Sequence, residues 1–335
     1  MRILRPSIAA AAMLLLSTLS VASGQRHAMI PRDGGANSFE KNSGRAYLFA
    51  YFKGNGEDGL HLASSDDCLV WHQLNDGNSL LRPAVSKDKL MRDPNITLGQ
   101  DGVFHLVWTT SWHEPIIGHA TSKDLIHWSE QQAIMPMMNE PNAQNVWAPE
   151  TFYDADAKQY LLFWATTIPG RFPETDKSGD NGLNHRIYLT TTKDFKSFTP
   201  TRLFFDPGFN VIDATIVRDG ERFIMFFKDE TKQPVAQKNI HYAVAERATG
   251  PYGKVSPSIT GKYWAEGPTV IKIDGRWIVY FDRYRDHRYG AVASTDFEHW
   301  EDISAQLQFP EGARHGTVIQ VKQSVLTKLL KMSKS

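Results

Sequence analysis

The chain has 335 residues, and its 37 lysine and arginine side chains are balanced by 37 aspartate and glutamate side chains. This neutral charge argues against a nucleic acid or an anionic membrane as a partner, because both bind basic surfaces. Cys68 is the only cysteine, so an intrachain disulfide is excluded and the residue is expected to be a small buried hydrophobe.

The first 24 residues have the composition of a secretory signal peptide. Arg2 and Arg5 give a basic start, residues 8–19 form an apolar run, and residues 22–24 are small, as cleavage requires. The run is short for a membrane span, and a retained anchor is the alternative. We therefore expect a secreted or periplasmic protein with no membrane span after cleavage, in which residues 25–45 form an extended lead-in.

One pattern recurs along the rest of the chain: an acidic residue, an apolar strand, a tight turn and a second apolar strand. The clearest copy is residues 264–284, in which Asp274-Gly275 has the preferred chemistry of a two-residue hairpin turn. Four short strands in each repeat of roughly 40–60 residues indicate a β-propeller. The leading residues of the copies are Asp93, Glu150, Asp213, Glu266 and, in a partial fifth copy, His315.

The two ends of the chain complete each other. Segments 122–128, 191–198 and 294–300 close three of the copies with an Asp-aromatic sequence, which the copy at Asp213 lacks. Residues 46–71 contain two strands and such a segment but no leading acid, whereas 315–321 has only an innermost strand. We therefore predict an all-β, five-bladed β-propeller over residues 46–321, with the ring closed by N-terminal strands pairing with the C-terminal strand 315–321. The basic, amphipathic tail 322–335 is expected to be a short helix or a frayed end.

The leading residues are expected to meet at one mouth of the propeller axis, because the first strand of each blade lines that axis. Several carboxylates around one axis repel each other, so their pKa values should differ, as general acid and base catalysis requires. The alternative is that each acid caps a strand, which is favoured for Glu150 because Trp147 and Pro149 suggest a rigid corner. The loops expected around the mouth are 53–59, 109–118, 166–185, 228–239 and 282–289, and the expected wall residues are Trp112, His113, His185, Arg186, Lys228, Arg283 and Arg288.

Four motifs in order resemble those of glycoside hydrolase family 43: Arg92-Asp93-Pro94-Asn95-Ile96, Trp147-Ala148-Pro149-Glu150, Ile212-Asp213-Ala214 and Ala265-Glu266-Gly267-Pro268. That family consists of five-bladed propellers that act as inverting glycosidases, mainly on arabinofuranosides and xylosides. The resemblance implies that Asp93 is the general base, that Asp213 tunes and orients the proton donor, and that Glu266 is the general acid.

The resemblance also bears on cofactors. His315 resembles the axial histidine near which many members hold a structural calcium ion through water, and no cofactor is required for the chemistry. Glu150 departs from the family pattern, which usually has Asp, and the strands before Asp93 suggest that the ring closes differently from that of many members.

The sequence therefore predicts a secreted inverting hydrolase that cleaves terminal glycosidic bonds in plant-type polysaccharides or oligosaccharides, with α-L-arabinofuranosides as the preferred substrates. Trp112, Glu150 and Arg288 are expected to contact the sugar, and Trp264 offers a further apolar face that is better explained by packing. A β-xylosidase, a galactofuranosidase and a non-catalytic glycan-binding propeller are the alternatives. A retaining, fructan-type hydrolase is a further rival, but its Asn-Asp-Pro motif is absent because Asp93 follows Arg92. A protein-binding propeller would leave the acidic ring without a purpose.

Overall fold

The computed structural model describes residues 44–332. The predicted signal peptide, the predicted lead-in up to residue 43 and residues 333–335 of the predicted tail lie outside these described residues. Within them, nineteen strands form five antiparallel sheets. No helix in the described part of the chain is long and apolar enough to cross a membrane.

Each sheet is one blade of a propeller. The chain begins with β1 (Arg45–Phe52), β2 (His61–Ser65) and β3 (His72–Gln73). Blade 1 consists of β4 (Arg92–Leu98), β5 (Phe104–Thr109), β6 (Ile117–Ser122) and β7 (Gln132–Ile134). Blade 2 consists of β8 (Trp147–Asp154), β9 (Gln159–Thr167), β10 (His185–Thr192) and β11 (Arg202–Phe205). Blade 3 has only β12 (Val211–Asp219), β13 (Arg222–Asp229) and β14 (Asn239–Ala245).

The last part of the chain completes the ring. Blade 4 consists of β15 (Glu266–Ile273), β16 (Arg276–Arg283), β17 (Arg288–Ser294) and β18 (Glu301–Asp302). Strand β19 (Arg314–Lys322) leads into helix α1 (Gln323–Met332), which buries Leu326 and Leu329. Short 3₁₀ turns lie at Asn75–Gly77, Pro173–Thr175, Asp180–Gly182 and Ser304–Gln306.

The predicted ring closure is confirmed. The fifth sheet has the order β19-β1-β2-β3, so the C-terminal strand is innermost and the N-terminal strands lie outside it. Strand β19 pairs antiparallel with β1 from Arg45 opposite Lys322 to Phe52 opposite Arg314. We call this sheet the closing blade. Because its strands come from both ends of the chain, neither end leaves an open edge next to the axis.

Five clusters of buried apolar side chains hold the blades together, and each cluster fills the gap between two neighbouring blades. Leu48 of the closing blade and Leu106 of blade 1 share one cluster, and Phe49 of the closing blade shares another with Tyr280 of blade 4. The remaining clusters join blades 1 and 2, 2 and 3, and 3 and 4. A single blade exposes two apolar faces, so stacking around the axis is what removes them from water.

The closing Asp-aromatic segments are turns between the third and fourth strands. In each of them one Asp oxygen accepts two backbone N–H groups; for Asp194 these are the N–H groups of Lys196 and Ser197, both at 2.9 Å. Asp67, Asp124 and Asp296 make the same pair of bonds. Blade 3 has no such turn, as expected, and the segment 253–259 instead runs beside β14, with the Ser256 N–H donating to the Tyr242 carbonyl at 2.8 Å.

A bulge near the start of every innermost strand shapes the axis. The pairing register shifts between Arg92 and Asn95 in blade 1, and at the corresponding place in each other blade. Aligning the blades on this shift gives three layers along the axis. The upper layer is Arg92, Trp147, Ile212, Glu266 and Arg314. The middle layer is Asp93, Ala148, Asp213, Gly267 and His315. The lower layer is Asn95, Glu150, Thr215, Thr269 and Thr317.

Candidate active site

A cavity of about 1000 Å³ opens at the mouth of the axis. Each of the five loops expected there contributes lining residues, among them Asn55, Trp112, Asp180, Glu230 and Tyr284. All five upper-layer residues line it, as do the middle-layer side chains Asp93, Asp213 and His315. No lower-layer residue does. The bulge therefore decides which axial side chains can reach a ligand in the cavity.

Asp93 occupies a strained backbone position in the middle layer, with φ of 51° in the left-handed region. One carboxylate oxygen accepts a 2.8 Å hydrogen bond from the Thr109 hydroxyl, and the other lies 3.3 Å from Nδ1 of His315. Burial alone would raise the pKa of Asp93, but His315, Arg92 and Thr109 outweigh it and lower the pKa to about 2. Asp93 is therefore a carboxylate at every ordinary working pH.

His315 is the cation of the middle layer. Its Nδ1 lies between Asp93 and Asp213, 3.3 Å and 3.9 Å from their nearest oxygens. Burial alone would lower the pKa of His315, but the two carboxyls raise it to about 9. The ring fits only because its neighbour is a glycine: a Cβ on Gly267 would lie 2.3 Å from His315 Cγ.

Asp213 is the most enclosed of the three acids Asp93, Asp213 and Glu266. Its side chain is 6% exposed, and its Oδ2 accepts a 3.0 Å hydrogen bond from the Gly267 N–H. Burial raises the pKa of Asp213 to about 6, with the charge of Glu266 adding to the rise and His315 and Lys228 opposing it. Asp213 therefore binds a proton in weakly acidic solution, unlike Asp93.

Glu266 belongs to the upper layer and faces the cavity with 18% of its side chain exposed. Lys228 Nζ lies 3.0 Å from one of its oxygens and Arg314 Nη2 lies 3.3 Å from the other. Burial favours the neutral acid, but these two cations outweigh it and lower the pKa of Glu266. In the ligand-free protein the two cations therefore favour the ionised form of Glu266, against the expectation that it is protonated at rest, whereas burial favours a proton on Asp213.

An aromatic wall faces the acids across the cavity. Trp112 is 39% exposed and packs edge-on against Trp147, with ring centroids 5.4 Å apart. Its indole N–H donates to Asn55 at 3.0 Å, and the Arg92 guanidinium lies 4.1 Å from its ring centroid. These contacts fix the orientation of the Trp112 ring, so that an apolar face is available to a sugar ring without side-chain reordering. Trp147, Arg92 and Asn55 were not singled out as binding residues from the sequence.

Glu150 and Arg288 are not brought to the cavity. Glu150 lies in the lower layer, buried beneath the bulge, where burial raises its pKa to about 8 against a hydrogen bond with Thr215. Arg288 is exposed at the start of β17, paired in register with Arg283. Of the other expected wall residues, Trp112, His113 and Lys228 line the cavity, whereas His185 and Arg186 are buried behind it and Arg283 lies outside it.

The axial residues do not form an evident metal site. Calcium takes about six to eight oxygen ligands, and no group of three or more His, Cys, Asp or Glu side chains within residues 44–332 is placed to hold a metal ion. His315 directs Nδ1 at two carboxyls and carries a proton there, which disfavours direct coordination. A calcium ion held near His315 through water stays a prediction, and no step below depends on it.

Fold and site together define a class: a five-bladed propeller with acidic residues of contrasting pKa in an axial cavity, as a glycoside hydrolase requires. The chain belongs to the family described as "Probable glycosyl hydrolase domain", a relative of glycosyl hydrolase family 43, whose sequence model matches residues 42–326. The predicted resemblance to family 43 is thereby confirmed.

Similar proteins agree with this assignment. An α-L-arabinofuranosidase of Bifidobacterium longum subsp. longum is 29% identical over 41% of this chain, which matches only 15% of that longer protein. The crystal structure of an α-L-arabinofuranosidase from Lactobacillus brevis superposes with a TM-score of 0.51 and 19% identity, covering 64% of this chain and 72% of that one. A thermostable family-43 glycoside hydrolase gives a TM-score of 0.53 and 17% identity, covering 69% and 80%. At these identities the two structures show the shared fold.

Proposed function

We propose that the protein is a secreted or periplasmic inverting glycosidase that removes terminal α-L-arabinofuranosyl groups from plant-type polysaccharides or oligosaccharides. The observation that carries the proposal is the contrast between acids facing one cavity. Asp93, on blade 1, stays ionised, whereas Asp213 and Glu266, on blades 3 and 4, share a proton in weakly acidic solution. Inverting hydrolysis needs one carboxylate to activate water and one acid to protonate the leaving oxygen.

In this mechanism Asp93 is the general base. Its carboxylate accepts a proton from a water molecule as that water attacks the anomeric carbon, and the Thr109 hydroxyl and His315 hold the carboxylate in place. With a pKa of about 2 Asp93 is a weak base, so its contribution comes mainly from orienting the water and from the negative charge it places beside the developing oxocarbenium ion.

Glu266 is the proposed general acid. Asp213 and Glu266 interact electrostatically, so they titrate as a pair whose first proton resides on Asp213 in the free protein. Glu266 has the more exposed side chain, 18% against 6%, and is the member that can reach a leaving oxygen. The shared proton therefore has to pass to Glu266 when a sugar fills the cavity and displaces water around its carboxylate.

The choice of sugar is supported by the similarity to two arabinofuranosidases and by the rigid Trp112 ring on the cavity wall. A panel of nitrophenyl furanosides and pyranosides tests it, with product size followed on arabinan. We expect the highest kcat/KM on the α-L-arabinofuranoside. Preference for the β-xyloside or the galactofuranoside would replace the substrate while keeping the mechanism, and sugar binding without hydrolysis of any panel member would mean a glycan-binding propeller.

A further inference from the structure

A continuous chain of alternating acidic and basic side chains runs from Glu266 to the loop 168–185. Lys228 Nζ bridges Glu266 Oε2 at 3.0 Å and Glu230 Oε2 at 2.7 Å. The other oxygen of Glu230 contacts Lys238 Nζ, which also lies 2.6 Å from Asp180 Oδ2. The two ends of this ion chain, Glu266 and Asp180, both line the cavity, one at its floor and one on the loop.

The inner members of the ion chain are almost fully buried. The side chains of Lys228 and Lys238 are 2% and 0% exposed, and Glu230 is 7% exposed. Lys228 and Glu230 touch the cavity, whereas Lys238 does not. A buried ammonium group is strongly unfavourable without paired carboxylates, so each member requires its neighbours. Loss of one internal charge therefore changes the field and the position of the next member, because little solvent screens these side chains.

The backbone supports the same connection. Asp180 begins the short 3₁₀ turn of the loop 168–185, and the Ser178 carbonyl before it accepts N–H bonds from Lys232 and Gln233 at 2.6 and 2.9 Å. The Lys238 carbonyl accepts a 2.9 Å bond from the Ala265 N–H, next to Glu266. The segment 228–238 therefore lies between the loop and the proposed proton donor, in contact with both.

We propose that Lys228 and Lys238 are positioning residues for Glu266, and that the ion chain couples the seating of the loop 168–185 to the proton affinity of this carboxyl. This inference rests on the proposed function, because it takes Glu266 as the proton donor. Lys238 acts without touching either substrate or Glu266, since it does not line the cavity. The charged and titratable groups that act on Glu266 from its surroundings are Lys228, Arg314, His315, Asp213, Asp282, Tyr284 and Tyr289.

Arg186 provides a matched control, because it holds the same loop by a different route. Its side chain is fully buried and bonds Asn184 and Thr175 of the loop, and its ion pairs are with Asp206 and with Glu174 of the loop. It has no link to the ion chain. Lys238→Met and Arg186→Met therefore both remove a buried cation that anchors the loop, but only Lys238→Met interrupts the chain to Glu266.

The experiment is an NMR titration of the full chain labelled with ¹³C at the glutamate carboxyl carbons. The Glu266 signal is identified by its loss in Glu266→Gln. We expect Lys238→Met to raise the Glu266 midpoint by ~0.5 pH unit or more, since a cation has been removed from a poorly hydrated interior. Arg186→Met should leave it nearly unchanged. An unchanged midpoint in Lys238→Met, or equal shifts in both variants, overturns the proposal.

If Lys238→Met does not fold, the charge-balanced pair Lys238→Met/Asp180→Asn replaces it, with the same two outcomes.

Kinetics separate this inference from the proposed function. In Lys238→Met we expect the alkaline limb of the kcat/KM profile on alkyl arabinofuranosides to move to higher pH together with the Glu266 midpoint, because the proton donor then stays protonated to higher pH. Nitrophenyl substrates, whose leaving groups need little protonation, should show a smaller displacement. An alkaline limb that stays at its wild-type pH on alkyl arabinofuranosides contradicts a positioning role. A wild-type protein that hydrolyses no glycoside, but whose Glu266 midpoint still responds to Lys238→Met, would reject the proposed function and leave the coupling established.

Discussion

Two glutamates on the propeller axis, Glu266 in the upper layer and Glu150 in the lower layer, have pKa values shifted in opposite directions. Glu266, above the bulge, lies between Lys228 and Arg314, and its pKa is lowered. Glu150, below the bulge, has Thr215 as its polar contact, and its pKa is raised to about 8. Both are enclosed by protein, so burial alone does not decide their state. Lys228 near the end of β13 and Arg314 at the start of β19 bring cations to the upper layer, and the lower layer is packed with threonine, asparagine and strand backbone.

The largest expected effect comes from Glu266→Gln. If Glu266 supplies the proton, hydrolysis of natural glycosides should fall by roughly 10²–10⁴-fold, while sugar binding persists. Nitrophenyl substrates should lose less, because their leaving groups need little protonation. Steady-state kinetics and calorimetric binding of the purified variant check this. Wild-type turnover on an alkyl arabinofuranoside would remove Glu266 from the role of proton donor.

Glu150→Gln is the same substitution two layers below, and it should leave kcat within about threefold of wild type at pH 6, where Glu150 is already neutral. Its effect should appear in stability. The folded pKa of Glu150 is raised above its unfolded value, so wild-type stability contributed by this group is lost as pH rises from about 4.5 to about 8. Denaturant titrations should show that the free energy of unfolding of Glu150→Gln rises relative to that of wild type between these two pH values. A difference in unfolding free energy that does not change with pH would contradict the raised pKa of Glu150.

Gly267→Ala tests the boundary between the layers. Gly267 has φ of 60°, and an added Cβ would lie within 3 Å of three His315 ring atoms. We expect His315 to be displaced from Asp93 and Asp213, with stability reduced by about 1–3 kcal/mol and kcat reduced roughly tenfold or more. Gly220→Ala is a matched control, because that glycine also has positive φ but no atom within 4 Å of the added Cβ. Equal effects of the two substitutions on kcat would mean that backbone strain, rather than His315, is responsible.

A smaller effect is expected from Asp213→Asn. The negative charges of ionised Asp213 and Glu266 each raise the pKa of the other group. Asp213→Asn removes the charge of Asp213, so the pKa of Glu266 should fall. The alkaline limb of the kcat/KM profile, expected near pH 6 in the wild type, should therefore move to lower pH. A limb that stays in place would show that Asp213 does not influence the proton donor.

The sequence predicted the ring, the blade count and the five loops correctly, because strand periodicity and turn chemistry repeat along the chain. It placed Glu150 and Glu266 at the same level of the axis as leading residues, although Arg92-Asp93-Pro94-Asn95 aligns with Trp147-Ala148-Pro149-Glu150 and with Glu266-Gly267-Pro268-Thr269. In that alignment Glu150 corresponds to Asn95 and Thr269 of the lower layer, whereas Glu266 corresponds to Arg92 and Trp147 of the upper layer. The alignment therefore indicates that the two glutamates lie in different layers.

The ion chain could not be predicted in the same way. Glu230 directly follows β13 and Lys238 directly precedes β14, and their contact with Asp180 depends on how two irregular loops pack against each other. Arg288 was placed on the wall because the loop 282–289 was expected to face the cavity. Only Tyr284 of that loop lines it, since the turn carries Arg288 away to the start of β17.

The central claim is that Asp93 acts through water while Glu266 protonates the leaving group, and the stereochemistry of the first product tests it most directly. Proton NMR of the anomeric region during the first minutes of hydrolysis, before mutarotation, reports which anomer is released. We expect the anomer opposite to that of the substrate, since water attacks the face away from the leaving oxygen. Initial appearance of the retained anomer would mean that Asp93 forms a covalent bond to the sugar, and would contradict the account.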